Sequence, residues 1–170
     1  MKNETCNKEN LLDNDFKICC FTGHRNFAHS KKIIKKQLKK LILKAIQEQG
    51  YNYFISGGAT GFDTLAAECV IEVRKQYSDI MLEIAIPHPK QSQYFTAKNS
   101  RKYSRVLKKA DYKTVLFPTY TNYCYHARNK YMVNKSSLII AYFNNLPSGT
   151  KHAITYAQQQ NKTIWFIENY

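Results

Sequence analysis

The chain has 170 residues, 44% of them hydrophobic, and carries 26 Lys and Arg against 12 Asp and Glu, a net charge of +14. This composition suits one folded core and excludes wholesale disorder, and no apolar run reaches the roughly 18–20 residues that a membrane span requires. The positive balance favours anionic partners such as nucleotides, nucleic acid or acidic proteins, with lysine-rich solvated surface as the plainer source of the charge.

In chain order, Met1 to Asp15 is polar and has no apolar core segment, so it does not read as a signal peptide. We expect a flexible lead-in over residues 1–15 and a single domain over 16–170. Lys17 to Thr22 reads as a buried first strand that ends at Gly23-His24-Arg25. Ser30 as N-cap and Gly50 as C-terminal stop bracket a helix to Gln49, with Ile34, Leu38, Leu41, Ile42 and Ala45 as its apolar stripe. Lys31, Lys32, Lys35, Lys36, Lys39, Lys40 and Lys44 fall mainly on the other side, as a wet face or a nucleic-acid footprint.

Tyr53 to Ile55 is a second strand. It leads through a turn holding Gly57, Gly58 and Gly61 into a helix to about Tyr77, whose apolar residues Leu65, Ala66, Cys69, Val70 and Val73 recur at helical spacing. Further strands are expected over Met81–Ile86, Lys113–Phe117, Ser137–Phe143 and Thr163–Ile167, with helices over Arg101–Ala110, Cys124–Asn134 and Thr150–Gln160. Strand and helix alternate, and the strands are continuous apolar runs, as in parallel strands covered on both faces. The fold class is therefore α/β: a three-layer, Rossmann-like open sheet, mostly parallel, with helices on both faces. Its ligand site belongs beyond the carboxyl ends of the strands.

Three loops leave strand ends there. The first, Thr22-Gly23-His24-Arg25, offers an arginine that forks onto phosphate or carboxylate and a histidine beside it. The second, Ser56-Gly57-Gly58-Ala59 with Gly61 and Asp63, is a glycine turn that exposes backbone N–H groups and a helix N-terminus to an anion; a side chain at Gly58 is expected to block that approach. Its alternative reading is a tight turn and nothing more, and it fits neither the dinucleotide nor the ATP glycine fingerprint. The third runs from Asn144 to Thr150 and holds Ser148-Gly149-Thr150. Arg128 and Asn129 follow an aromatic loop, Tyr120, Tyr123 and Tyr125, suited to stacking a base. Glu68 falls near the wet edge of its helix. Of the five cysteines, Cys6, Cys19, Cys20, Cys69 and Cys124, none forms a Cys-x-x-Cys pair. We read them as reduced thiols of a cytoplasmic protein and expect no metal site.

Taken together, Thr22-Gly23-His24-Arg25, Ser56-Gly57-Gly58-Ala59 with Gly61-Phe62-Asp63 and Ala66-Ala67-Glu68, Arg128-Asn129 with Met132-Val133, and Ser148-Gly149-Thr150 with Tyr156-Ala157 resemble the YpsA-like branch of the SLOG superfamily. That superfamily is Rossmann-like and includes DprA and the lonely-guy phosphoribohydrolases. The resemblance implies binding of a nucleotide or nucleotide-derived small molecule and, as in relatives, a homodimer. It leaves two alternatives: N-glycosidic hydrolysis of nucleotides, and weak binding of single-stranded nucleic acid as in DprA. The phosphoribohydrolases have a catalytic glutamate in a second glycine motif, where this chain has Ala153; an enzyme would have to rely on Glu68. No cofactor beyond the nucleotide-type ligand is expected, and no membrane partner.

Overall fold

The computed structural model describes residues 16–168, so the expected lead-in over 1–15 lies outside the described residues. The elements run β1 (Ile18–Gly23), α1 (Lys31–Gln49), β2 (Tyr53–Ser56), α2 (Phe62–Val73), β3 (Met81–Ile86), α3 (Ala97–Lys109), β4 (Tyr112–Val115), α4 (Cys124–Lys135), β5 (Leu138–Tyr142), α5 (Gly149–Gln159) and β6 (Thr163–Phe166). The six strands form one sheet in the order β4-β3-β2-β1-β5-β6, with every pairing parallel. The expected α/β open sheet is thus present, and wholly rather than mostly parallel.

Alternation along each strand divides the core. Cys19, Phe21, Phe54, Leu82, Ile84, Leu138 and Ile140 pack with Ile34, Leu38 and Ile42 of α1, Leu65 and Val70 of α2, and Val106 of α3. Cys20, Ile55, Ala85, Ile139 and Ala141 face the other way, onto Met132 and Val133 of α4 and Ile154 and Ala157 of α5. The inner strands β1, β2, β3 and β5 are therefore covered on both sides, which is why they read as largely apolar runs, whereas the edge strands β4 and β6 are partly exposed.

The expected bounds of α1 hold, and those of α2 and α3 shift. Ser30 precedes α1 but makes no side-chain cap bond, whereas Gly50 ends it as expected, at φ 71° with its N–H donated to the Ala45 and Ile46 carbonyls. Helix α3 begins four positions before Arg101 because the Thr96 hydroxyl accepts the Asn99 N–H at 3.3 Å. Helix α2 stops at Val73, short of Tyr77.

One buried charge fixes α4 to the sheet. Glu83 of β3, 1% exposed, accepts hydrogen bonds from the hydroxyls of Tyr53 (2.7 Å), Thr114 (2.7 Å) and Tyr131 (2.6 Å) and from Lys135 Nζ at 3.2 Å. Tyr131 and Lys135 belong to α4, so this carboxylate anchors the helix that carries Arg128 and Asn129. Burial by itself raises the Glu83 pKa, but the three hydroxyl donors and the Lys135 charge outweigh it and hold the group below its ordinary value.

Glu83→Ala leaves the cationic Lys135 and three hydroxyls without their shared acceptor, and we expect a loss of about 3–5 kcal/mol in urea unfolding at neutral pH. Because the folded pKa is depressed, the carboxylate's contribution is complete above the unfolded carboxyl range and is lost as pH falls through the folded value. The stability gap between wild type and Glu83→Gln is therefore expected to narrow on acidification; a gap that widens contradicts the network.

Candidate functional site

The chain leaves β1 in one direction for β2, β3 and β4, then returns to the other side of β1 to lay down β5 and β6. The reversal opens a crevice between β1 and β5 at their carboxyl ends. A cavity of about 440 Å³ occupies it. Its walls come from Thr22 to Asn26 after β1, Ala59 and Asp63 at the start of α2, Tyr125, Arg128 and Asn129 on α4, and Asn144, Leu146 and Ser148 to Thr150 after β5. The loops after β1 and β5 thus meet here with Ala59, Asp63 and α4.

Within the cavity wall lies a buried ion pair. Arg128 is 6% exposed and Asp63 7%. The guanidinium donates to the Gly57 carbonyl at 2.6 Å and to Asn129 Oδ1 at 2.9 Å, and lies 3.7 Å from Asp63 Oδ2. Burial raises the Asp63 pKa to about 6, against Arg128, the Ala59 N–H and Arg25, which lower it. Burial likewise lowers the Arg128 pKa, with Asp63 opposing. At 3.7 Å the contact is too long to offset desolvation in full. Arg128 and Asn129 lie inside α4, within the helix expected over Cys124–Asn134, and Arg128 is committed to the turn opposite.

That commitment corrects the reading of the glycine turn. Ser56, Gly57, Gly58 and Gly61 do not line the cavity. Ser56 is fully buried; its hydroxyl donates to the Asp63 carbonyl at 2.8 Å and accepts the Gly58 N–H at 3.2 Å. A Cβ on Gly57 would collide with the Arg128 guanidinium and the Asp63 carboxylate. Gly58, at φ 64°, has Tyr103 at 2.9 Å and Ile84 at 3.0 Å from where its Cβ would lie. Gly61, at φ 85°, lies against the Arg25 backbone. The glycines make room for protein rather than for a phosphate, so a side chain at Gly58 strains the fold before it touches any ligand.

The other two loops do face the cavity. His24 stacks on Phe143 with ring centroids 5.5 Å apart, and its Nε2 is buried without a hydrogen-bond partner. Burial lowers its pKa, against a hydrogen bond with Asn144 that raises it. At the N-terminus of α5, Ser148 caps the helix by accepting the Lys151 N–H at 3.3 Å, while Gly149 and Thr150 form the wall. Of the expected stacking tyrosines only Tyr125 lines the cavity; its hydroxyl lies 3.3 Å from His88 Nε2, and Tyr120 packs behind it. Glu68 and Ala153 lie outside the lining, so neither supplies a group to this cavity. Asn26 was missed, and Asn144, which opens the expected third loop, was not singled out. The available signal was their position immediately beyond the ends of two adjacent strands.

The lysines of α1 do not form one basic stripe. Lys35 and Lys39 pair with Glu72 of α2 at 2.6 and 2.8 Å, and Lys44 lies 4.0 Å from Glu48.

An open parallel sheet with a cavity at its switch point defines a Rossmann-like fold. The chain belongs to the YspA SLOG family, whose profile matches residues 16–170. It is 29% identical over 139 residues to the uncharacterized SPbeta prophage-derived protein YoqJ of Bacillus subtilis, a match that covers 74% of this chain and 81% of that one. In fold it is similar to DNA processing protein A of Streptococcus pneumoniae, with a TM-score of 0.66 at 19% identity, and to that of Helicobacter pylori, with 0.62 at 16%. Each match covers 91% of this chain, which spans 51% of the pneumococcal chain and 66% of the Helicobacter one. Among the described residues no helix is long and apolar enough to cross a membrane.

The Asp63 shift predicts a pH signature. A carboxyl with a folded pKa of about 6 against an ordinary 3.8 holds its proton in the native state while the unfolded chain has lost it. The native state therefore gains stability from this group as pH falls from about 6 toward 4. Asp63→Asn lacks that gain. Between pH 7 and 4.5 the stability difference is expected to move in favour of wild type by on the order of 1–3 kcal/mol, as read by denaturant titrations of both proteins. A difference that does not move with pH contradicts the raised pKa.

Proposed function

We propose that the protein binds a nucleotide or nucleotide-derived small molecule in the strand-end cavity. The phosphate lies between Arg25 and the N-terminus of α5, and the base lies toward Tyr125. The observation that carries this reading is the convergence, in one cavity, of Arg25, His24 and the N-terminus of α5. Helix α5 brings backbone N–H groups and the positive end of its dipole, and Arg25 brings a countercharge. Asn129, Asn144 and Ser148 add neutral groups able to bond sugar hydroxyls. Membership of the YspA SLOG family supports the same ligand class.

Single-stranded nucleic acid is the second reading. The Helicobacter relative in fold is described by its single-stranded DNA binding mode, and the net charge of +14 favours any polyanion. N-glycosidic hydrolysis has less support, because Asp63 is the one carboxylate among the cavity's described lining residues and it is turned to Arg128.

Titration calorimetry with a panel of nucleoside phosphates and dinucleotides tests the proposal. Arg25→Ala should weaken binding of any phosphate-bearing hit by about 1.5–3 kcal/mol, the range for a lost hydrogen bond to a charged group. Arg25 is exposed, so the melting temperature should stay near wild type. Wild-type affinity in both Arg25→Ala and Asn129→Ala places the ligand elsewhere. No release of free base from nucleoside monophosphates is expected, and turnover above background restores the hydrolase. Sub-micromolar binding to single strands at about 150 mM salt, where nonspecific electrostatic binding is weak, promotes the second reading.

A further inference from the structure

Beside the strand-end cavity lies a smaller cleft of about 190 Å³, between the N-terminal ends of α1 and α2 and the side of α3. Arg25 and Asn26 line both spaces. The smaller one is otherwise walled by Lys31, Lys102, Asn99 and the Thr60-Gly61 backbone that opens α2. Lys31 is the first residue of α1 and Lys102 lies in the second turn of α3. The two lysines line this cleft together, one from α1 and one from α3.

This pairing is unlike that of the neighbouring lysines. Lys35 and Lys39 share Glu72, and Lys135 reaches Glu83. Among the described residues neither Lys31 nor Lys102 makes an ion pair, and no Asp or Glu lines the cleft. Burial first, and then Lys102, lower the Lys31 pKa, with Glu68 opposing them only in part. Two like charges converge beside an arginine and a helix N-terminus, an arrangement that an anion between them would stabilise.

We propose that this cleft is a second phosphate subsite, joined to the strand-end cavity through Arg25, so that the ligand carries two phosphates in series, as a phosphodiester-linked dinucleotide does. The inference rests on the reading of the strand-end cavity given above, and it narrows the ligand class. A nucleoside monophosphate fills only one of the two spaces. Lys31 and Lys102 take the second phosphate as paired point charges, Asn99 supplies a neutral donor, and Arg25 lies between the two anions.

The test compares thymidine 5′-monophosphate with 5′-phosphorylated dithymidylate by calorimetry. Wild type should bind the dinucleotide at least tenfold more tightly. The double variant Lys31→Gln/Lys102→Gln should lose that advantage while its affinity for the monophosphate stays within twofold of wild type. Its melting temperature should not fall, since a repulsion has been removed. Lys36→Gln/Lys40→Gln removes the same charge outside the cleft and should keep the advantage. Equal affinity of wild type for the two probes overturns the subsite, as does a Lys31/Lys102 double variant that still prefers the dinucleotide; in both cases an Arg25-dependent monophosphate site still stands. Monophosphate binding that ignores Arg25→Ala, or no binding of either probe, sinks the strand-end reading and this inference with it. Hexathymidylate separates the sources: no gain over the dinucleotide assigns the subsite to a small ligand, and a further tenfold gain assigns it to a strand.

Discussion

The guanidinium of Arg128 holds the strand-end surface together. It reaches from α4 across the sheet's carboxyl edge to the Gly57 carbonyl at 2.6 Å and lies 3.7 Å from the Asp63 carboxylate, with both side chains less than one-tenth exposed. The pair joins the turn after β2, the first turn of α2 and the middle of α4, which are remote in sequence. A buried ion pair of this length adds little net stability. It does set a geometry: Gly57 has to lack a side chain, and Ala59 has to offer its N–H to Asp63.

Charge is partitioned in the same way. On the outer face of α1 and α2, Glu72 takes up Lys35 and Lys39, and beneath α4, Glu83 takes up Lys135. The excess that matters lies at the strand ends, where Arg25, Lys31 and Lys102 surround two adjoining spaces. Net charge attracts polyanions in general, but the placement of the carboxylates decides which lysines are left for a ligand.

The likeness to the DNA processing proteins extends to the sheet and its helices at 16–19% identity, with this chain spanning about half of the pneumococcal one. Function therefore has to be argued from the cavity rather than from the fold. The groups that bear on it are Arg25, His24 and the start of α5, which belong to loops that a parallel sheet brings side by side only because β1 and β5 are neighbours.

Local pattern was enough for the strands and helices, because period and apolarity are short-range properties. Unbroken apolar runs such as Leu138 to Tyr142 require burial on both faces and so imply a parallel sheet, and Gly50 requires a helix end. Strand-end placement likewise picked out Thr22 to Arg25 and Ser148 to Thr150. What a glycine makes room for is not a local property. Gly57, Gly58 and Gly61 carry the same signal whether the close neighbour is a phosphate or a side chain, and only the fold brings Arg128, Tyr103 and the Arg25 backbone against them. The same holds for Glu83, which reads as a charge in an apolar strand until Tyr53, Tyr131 and Lys135 close around it. It holds too for Lys31 and Lys102, 71 positions apart in the chain, which line one cleft because α1 and α3 flank α2 on one side of the sheet.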